Sequence, residues 1–415
     1  MAKSKVLSVR LSGTPVGHLI QTQDGKMRFE YLPETTDAIS LSMPIDKKAY
    51  GNMPCEKYFG GLLPESENAR KAIALTFKGN ANSTFSLIRE IGHECAGAIS
   101  IHEANDPIEV DKFHRIIADP ISDEDLEQHI IDLPYHPLFI GMQGMRMSLA
   151  GVQDKAALCI VNGKLCIPKG STPTTHILKP MIPKYPLSVQ NEYLCLKTAK
   201  RIGLPAPEVT IRKAGQQVFL MIERYDRIFD GKETIQRLHQ EDFCQALSLR
   251  EKYQTHGGPG LKESFDLMMR SSLPIVDRSL LMQGVVFNYL IGNADAHGKN
   301  FSVLYVSEGV RLAPFYDILC TQFYGNLTED MCMKIGETYN LGEVQLNDWK
   351  TLCEKLNFPF AGLKKIVTNQ LSQLVDALTI EREELAATTF EHALLDGIVD
   401  QVSKNCAKMT KTFHG

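Results

Sequence analysis

No apolar run in this chain approaches the roughly 18 to 20 residues that cross a bilayer. Its charged start, Met1 to Arg10, lacks the apolar core of a secretory signal. A cytoplasmic protein that makes no use of a membrane is expected. Cys-x-x-Cys pairs and closely spaced histidine pairs are missing too. The ten cysteines are scattered between Cys55 and Cys406, which argues against zinc and predicts reduced, buried thiols. Nor is there an excess of positive charge: the formal net charge is -4, so no global basic field attracts nucleic acid or an anionic membrane. Internal repeats and low-complexity tracts are likewise lacking. What is there is an ordinary globular composition, 43% hydrophobic and 23% charged, in 415 residues. That length exceeds one compact core and predicts two or three domains.

Periodicity divides the chain into three stretches. Residues 4–31 alternate as short strands around the turn signal Asp24-Gly25. Helices are expected over 68–77 and 84–98, the second capped by Ser83 or Thr84, and a closing strand over 99–102. Asn105-Asp106-Pro107 breaks the pattern and marks a domain boundary. A helix opening at Ser122 precedes five predicted strands, 156–161, 164–167, 175–180, 208–212 and 218–222, with a helix over 189–201 among them. Beyond Asp226 the 3.6-residue period dominates, predicting helices over 241–250, 278–292, 348–356, 361–378 and 380–405. One strand-rich interruption lies at 301–312. The fold class is therefore α+β: a small N-terminal domain (1–107), a strand-rich small lobe (108–226) and a helical large lobe (227–415). The last two have the outline of a bilobal protein kinase.

The chemistry sits at boundaries of these elements. Phosphoryl transfer needs a grip on the triphosphate, oxygen ligands for Mg2+ and a residue to orient the attacking hydroxyl. Asp295 and Asn300 lie five residues apart after a predicted helix, the Asp-to-Asn spacing of a kinase catalytic loop. Asp317 follows a short hairpin, where a metal-binding carboxylate belongs, although Tyr316-Asp317-Ile318 departs from Asp-Phe-Gly. Lys179 ends a small-lobe strand, and Glu192 opens the next helix within reach of it. Ser148 to Lys155 forms a loop before a strand, suited to covering phosphates through backbone N–H groups and Lys155. Glu223, Arg224 and Tyr225 stand at the change of lobe, where a hinge presents backbone groups to adenine.

Several stretches resemble HipA-type toxin kinases: Tyr58 to Glu65, Ser148 to Lys155, Thr174 to Lys179, Ile222 to Arg227, Gln240 to Ala246, Asn293 to Phe301 and Ala313 to Asp317. The resemblance covers nearly the whole chain in order. It implies a Ser/Thr protein kinase that uses ATP and Mg2+. In that scheme Asp295 is the base, Asn300 and Asp317 hold the metal, and Lys179 binds phosphate. Ala150, Gly151, Val152, Gln153, Asp154 and Lys155 form the phosphate loop. Glu223, Arg224 and Tyr225 meet adenine, and His297, Gly298, Lys299 and Asn300 line the nucleotide. Ser148 is the expected autophosphorylation site. The resemblance further implies a small helix-turn-helix antitoxin of HipB type, operator DNA reached through it, and a translation enzyme, chiefly an aminoacyl-tRNA synthetase, as substrate.

Each residue has a plainer reading alone. Asp-x4-Asn pairs are commonly turn residues, a single lysine is usually a solvated surface group, and Ser148 and His297 read as a loop hydroxyl and a structural hydrogen bonder. Their occurrence together in kinase order favours the enzyme. Two other readings are weighed beside it: a corepressor that acts by binding its antitoxin, and a small-molecule kinase on a related fold. The intact set Lys179, Asp295, Asn300 and Asp317 argues against the first, and the extra N-terminal domain against the second.

Overall fold

The chain, described from a computed structural model, is defined over residues 5–107, 113–140, 146–169, 172–229 and 234–414. Alternating apolar residues at the start build a five-stranded antiparallel sheet. Its spatial order is Ala49–Tyr50, Met27–Tyr31, Thr14–Gln21, Lys5–Leu11 and Ile99–Glu103. Helices Asn52–Gly61, Glu67–Phe77 and Thr84–Ile91 complete this unit, the last two capped by the Ser66 and Ser83 hydroxyls. The predicted helix over 84–98 stops at Ile91. Beyond Gly92 the backbone has other partners: the Glu94 N–H donates to the Arg146 carbonyl, and the Glu94 carboxylate is held by Arg224 and Arg227.

The second sheet has six strands rather than the expected five, in the order Val209–Ala214, Gln217–Glu223, His176–Pro180, Ala156–Val161, Lys164–Pro168 and Ala118–Pro120. The added strand, Ala118–Pro120, is too short for its alternation to show. Asn162 and Gly163 supply the two positive φ angles of the tight hairpin between Ala156–Val161 and Lys164–Pro168. Helix Ser188–Arg201 packs beside Val209–Ala214 and Gln217–Glu223.

The change to helical character comes later than Asp226. Strands Arg227–Phe229, Thr234–Arg237 and Gln240–Asp242 follow first. The helix expected over 241–250 is a single turn, Phe243–Ala246, opened by a reciprocal Asp242–Gln245 cap. Gln240–Asp242 pairs instead with Ser302–Val306, itself paired with Gly309–Leu312. Helices Leu261–Leu267, Pro274–Ile291, Leu346–Leu356, Phe360–Leu371, Leu374–Ala386 and Asp396–His414 form most of the rest. The run predicted over 361–378 breaks at Ser372–Gln373, and that over 380–405 is interrupted between Ala386 and Asp396. Between Ala386 and Asp396 only Phe390 and Leu395 turn inward, so the second predicted run joined two separate helices.

Two buried cores result. One joins the N-terminal unit to the six-stranded sheet, with Leu7, Val9 and Phe29 from the strands and Phe59 from helix Asn52–Gly61 of the first, and Ala157, Leu158, Phe219 and Met221 from the second. The other fills the helical part around Phe287, Leu290 and Trp349. All ten cysteines are free thiols, and nine are buried; Cys332 is partly exposed. Among the described residues no helix is long and apolar enough to cross a membrane.

Candidate active site

A cavity of about 1250 Å³ opens between the six-stranded sheet and the loops that follow helix Pro274–Ile291. Ala150, Gly151, Val152, Gln153, Asp154, Lys155, Lys179, Glu223, Arg224, Tyr225, Asp295, His297, Lys299, Asn300 and Asp317 all line it. Two predicted site residues do not. Gly298 lies in the loop wall, where an added Cβ would stand 2.4 Å from Pro259. Ser148 is fully buried, its hydroxyl donating to the Leu62 carbonyl at 2.6 Å.

Lys179 is the centre of charge. Its strand is bonded on both sides, by Ala156–Val161 and Gln217–Glu223, which fixes where the ammonium points. The Nζ stands 2.6 Å from Glu192 Oε1 and 2.5 Å from Asp317 Oδ1. Burial alone would favour neutral lysine, but the Asp317 and Glu192 charges reverse this and raise its pKa. Burial acts the other way on Asp317, yet Lys179 first, then Lys155 and His297, bring that carboxyl down to about 2. Glu192 shifts upward: its burial and the Asp317 charge outweigh the ion pair. Asp317 also sits at φ +58°, a left-handed conformation that a non-glycine residue keeps only under surrounding restraint.

The catalytic-loop candidates begin where Gly292, at φ +76°, ends helix Pro274–Ile291. The Asp295 N–H donates to Asn293 Oδ1 at 3.1 Å, and Asn300 Nδ2 donates to the Asp295 carbonyl at 3.0 Å. The loop is thus closed on itself, with the exposed Asp295 side chain at its tip. The Cys332 thiol donates to Asp295 Oδ1 at 3.4 Å. His297 is buried beneath, its ring 5.4 Å from that of Tyr253, and burial lowers its pKa so the neutral imidazole is favoured. Lys155, buried close to Lys179, is brought down to about 8 by burial and then by that neighbouring charge. Its ammonium donates to the Gln153 carbonyl at 2.7 Å.

At the hinge the structure narrows the prediction. The Arg224 guanidinium is buried against Glu94, Thr174 and Asp226 at 2.8–3.0 Å, so it belongs to a structural ion cluster. The Tyr225 ring stacks on Tyr316 at 5.9 Å. Sequence reasoning missed Glu65, Lys252 and Tyr253, which line the same cavity. Glu65 ends the stretch Tyr58 to Glu65, but nothing in its spacing ties it to Lys299, 234 residues further along the chain. Among the described residues, His93, His102 and Asp106 bring ligand atoms together. Burial, and Arg10 beside both rings, hold those imidazoles on the neutral side.

A buried Lys–Glu pair beneath a cavity, with a loop carboxylate, an amide and a second carboxylate at its edge, fits the kinase class of proteins. The chain belongs to the HipA family: residues 147–378 match the HipA-like C-terminal domain and residues 7–102 the HipA N-terminal domain. It is 35% identical over 408 residues to the putative kinase Y4mE of Sinorhizobium fredii, covering 96% of this chain and 97% of that one. It is 29% identical to the serine/threonine-protein kinase toxin HipA of Shewanella oneidensis over 335 residues, 77% of this chain and 75% of that one. A solved complex of Shewanella oneidensis HipA, HipB and operator DNA shares the fold, with TM-score 0.84, 24% identity and coverage of 98% of this chain and 97% of that one.

Proposed function

We propose that the protein is an ATP-dependent Ser/Thr protein kinase of a toxin–antitoxin pair, with a bilobal kinase fold over 108–226 and 227–415 and a docking domain over 1–107. The observation that carries this reading is the convergence of Lys179, Glu192 and Asp317 at hydrogen-bond distance in a cavity that Asp295 and Asn300 also line. In the transfer step Asp295 accepts the proton of the acceptor hydroxyl. That oxygen forms its bond to the γ-phosphorus, while the bond from phosphorus to the bridging oxygen breaks and ADP leaves. Lys179 and Lys155 offset charge on the phosphates, and backbone groups of Glu223 to Tyr225 meet adenine. Asn300 and Asp317 provide the hard oxygen donors that suit Mg2+, which when bound draws negative charge off the phosphate oxygens.

A helix-turn-helix antitoxin of HipB type, and operator DNA through it, are the proposed partners; the Shewanella complex supports them. The proposed substrate is an aminoacyl-tRNA synthetase, whose modification would halt translation. Ser148 is the proposed autophosphorylation site. Its burial means that the loop must leave its place before the hydroxyl can accept phosphate. A phosphate bearing nearly two charges would not fit back beneath Leu62, so modification would hold the loop out and silence the kinase. The test is incubation with γ-labelled ATP and Mg2+, alone and with cell lysate. Label on a peptide containing Ser148 and on a lysate protein supports the proposal. No label on either contradicts it.

A further inference from the structure

We infer that Glu65, from the N-terminal unit, is a positioning residue of the phosphoryl-transfer site, tying the phosphate loop to the catalytic loop; this rests on the kinase reading above. Three contacts meet at this one residue. Its carboxylate lies 3.1 Å from Lys299 Nζ and 3.0 Å from Lys252 Nζ, one oxygen to each. Its backbone N–H donates to the Gly151 carbonyl at 3.1 Å, beside a strand-like bridge between Pro64 and Gly151. One residue thus holds the middle of the phosphate loop through its backbone and the catalytic loop through its side chain.

The restraint extends beyond the ion pair. The Lys252 carbonyl accepts the Gly298 N–H at 3.1 Å, and the Lys299 carbonyl accepts the Tyr316 hydroxyl at 2.7 Å, next to Asp317. Lys299 therefore lies within the loop that carries Asp295 and Asn300, and Lys252 is bonded to that same loop at Gly298. All three charged groups are largely buried, with side-chain exposures of 19% for Glu65, 15% for Lys252 and 14% for Lys299. Ion pairs in such surroundings are screened less than surface pairs. Two lysines facing one carboxylate would also repel each other in its absence. Glu65 holds their spacing, and that spacing sets where the Lys299 ammonium stands in the cavity.

A residue that only stabilised the fold would lower nucleotide affinity and thermal stability together. Glu65 is expected to act differently. Its neutralisation frees two positive charges toward an anionic ligand while loosening both loops, so turnover falls without weaker ATP binding. The experiment measures kcat and KM for ATP by label transfer in the full-length wild type, Glu65→Gln, Glu65→Asp and Lys252→Met. Hydrogen exchange over residues 147–155 and the thermal midpoint are measured alongside. The expected result for Glu65→Gln is a kcat lowered about tenfold, a KM for ATP equal to or below the wild type, and faster exchange in the phosphate loop at a nearly unchanged midpoint. Glu65→Asp recovers part of kcat, and Lys252→Met loses less than Glu65→Gln. A Glu65→Gln enzyme within twofold of wild-type kcat overturns the inference, as does a rise in KM that tracks lost stability with no recovery in Glu65→Asp. If the wild type transfers no label, the kinase reading fails on its own; unchanged exchange in Glu65→Gln then also sinks the restraint, and faster exchange upholds it.

Discussion

Lys179 carries its charge inside the protein between two carboxylates, so the cost of removing it differs from that of a surface lysine. Lys179→Met leaves Glu192, 3% exposed, without its cation. Breaking a buried pair on one side costs about 3 kcal/mol or more. The variant should show a lowered thermal midpoint and label transfer below detection. A midpoint equal to wild type would mean that the pair contributes nothing to the fold. His239 tests burial by another route. It is buried against the Ile39 carbonyl, and burial brings its pKa down to about 4. The unfolded imidazole titrates near 6.5. Between those values the unfolded chain binds more protons, so this residue's contribution is fully present above about pH 6.5 and is lost as pH falls toward 4. Replacing it by Gln should flatten the fall of the denaturation midpoint between pH 6.5 and 4.5; an unaltered slope would contradict the assigned environment. The residues of the candidate site were largely legible in the sequence because phosphoryl transfer restricts residue type and spacing. Asp295 and Asp317 lie in loops, Asn300 closes a short turn and Lys179 lies next to the end of its strand, all where periodicity stops. Glu65 was not legible. Its partners are set by how two units pack, which no local pattern records.

Among elements, helix Pro274–Ile291 connects packing to the site most directly. Gly284 faces Phe315, and an added Cβ would stand 2.4 Å from that ring. Phe315 is buried two residues before Asp317, and its N–H donates to the Pro205 carbonyl. Gly284→Ala must push the ring or the helix, an overpacking of about 1–3 kcal/mol. The expected outcome is weaker binding of ATP with Mg2+, measured by calorimetry, beyond what the stability loss explains. Binding as tight as wild type would show that Asp317 is insulated from this helix. The same scale explains which elements were readable. Ser188–Arg201 and Pro274–Ile291 were foreseen to within a few residues, having long periodic stripes and clear stops. The helix expected over 241–250 was not: Gln240–Asp242 exchanges its backbone bonds with Ser302–Val306, a tertiary choice that overrides local period.

For the whole molecule, the N-terminal sheet and the six-stranded sheet share one core, and the N-terminal unit reaches the site at several points. Leu62 holds Ser148, Glu94 enters the Arg224–Arg227 cluster, and Glu65 meets Gly151 and Lys299. The predicted order of strand-rich and helical stretches was readable, because it follows composition and period along the chain. The shared core was not, since it joins residues 7–101 to residues 156–221 across that order. Asp295 is proposed to accept the proton of an acceptor hydroxyl. The most direct measurement is the rate of γ-phosphate transfer in Asp295→Asn against wild type, at ATP and Mg2+ concentrations that saturate both, with nucleotide binding measured in parallel. Transfer lowered at least about a hundredfold with nucleotide binding retained is the predicted result. Transfer at the wild-type rate by Asp295→Asn would contradict it.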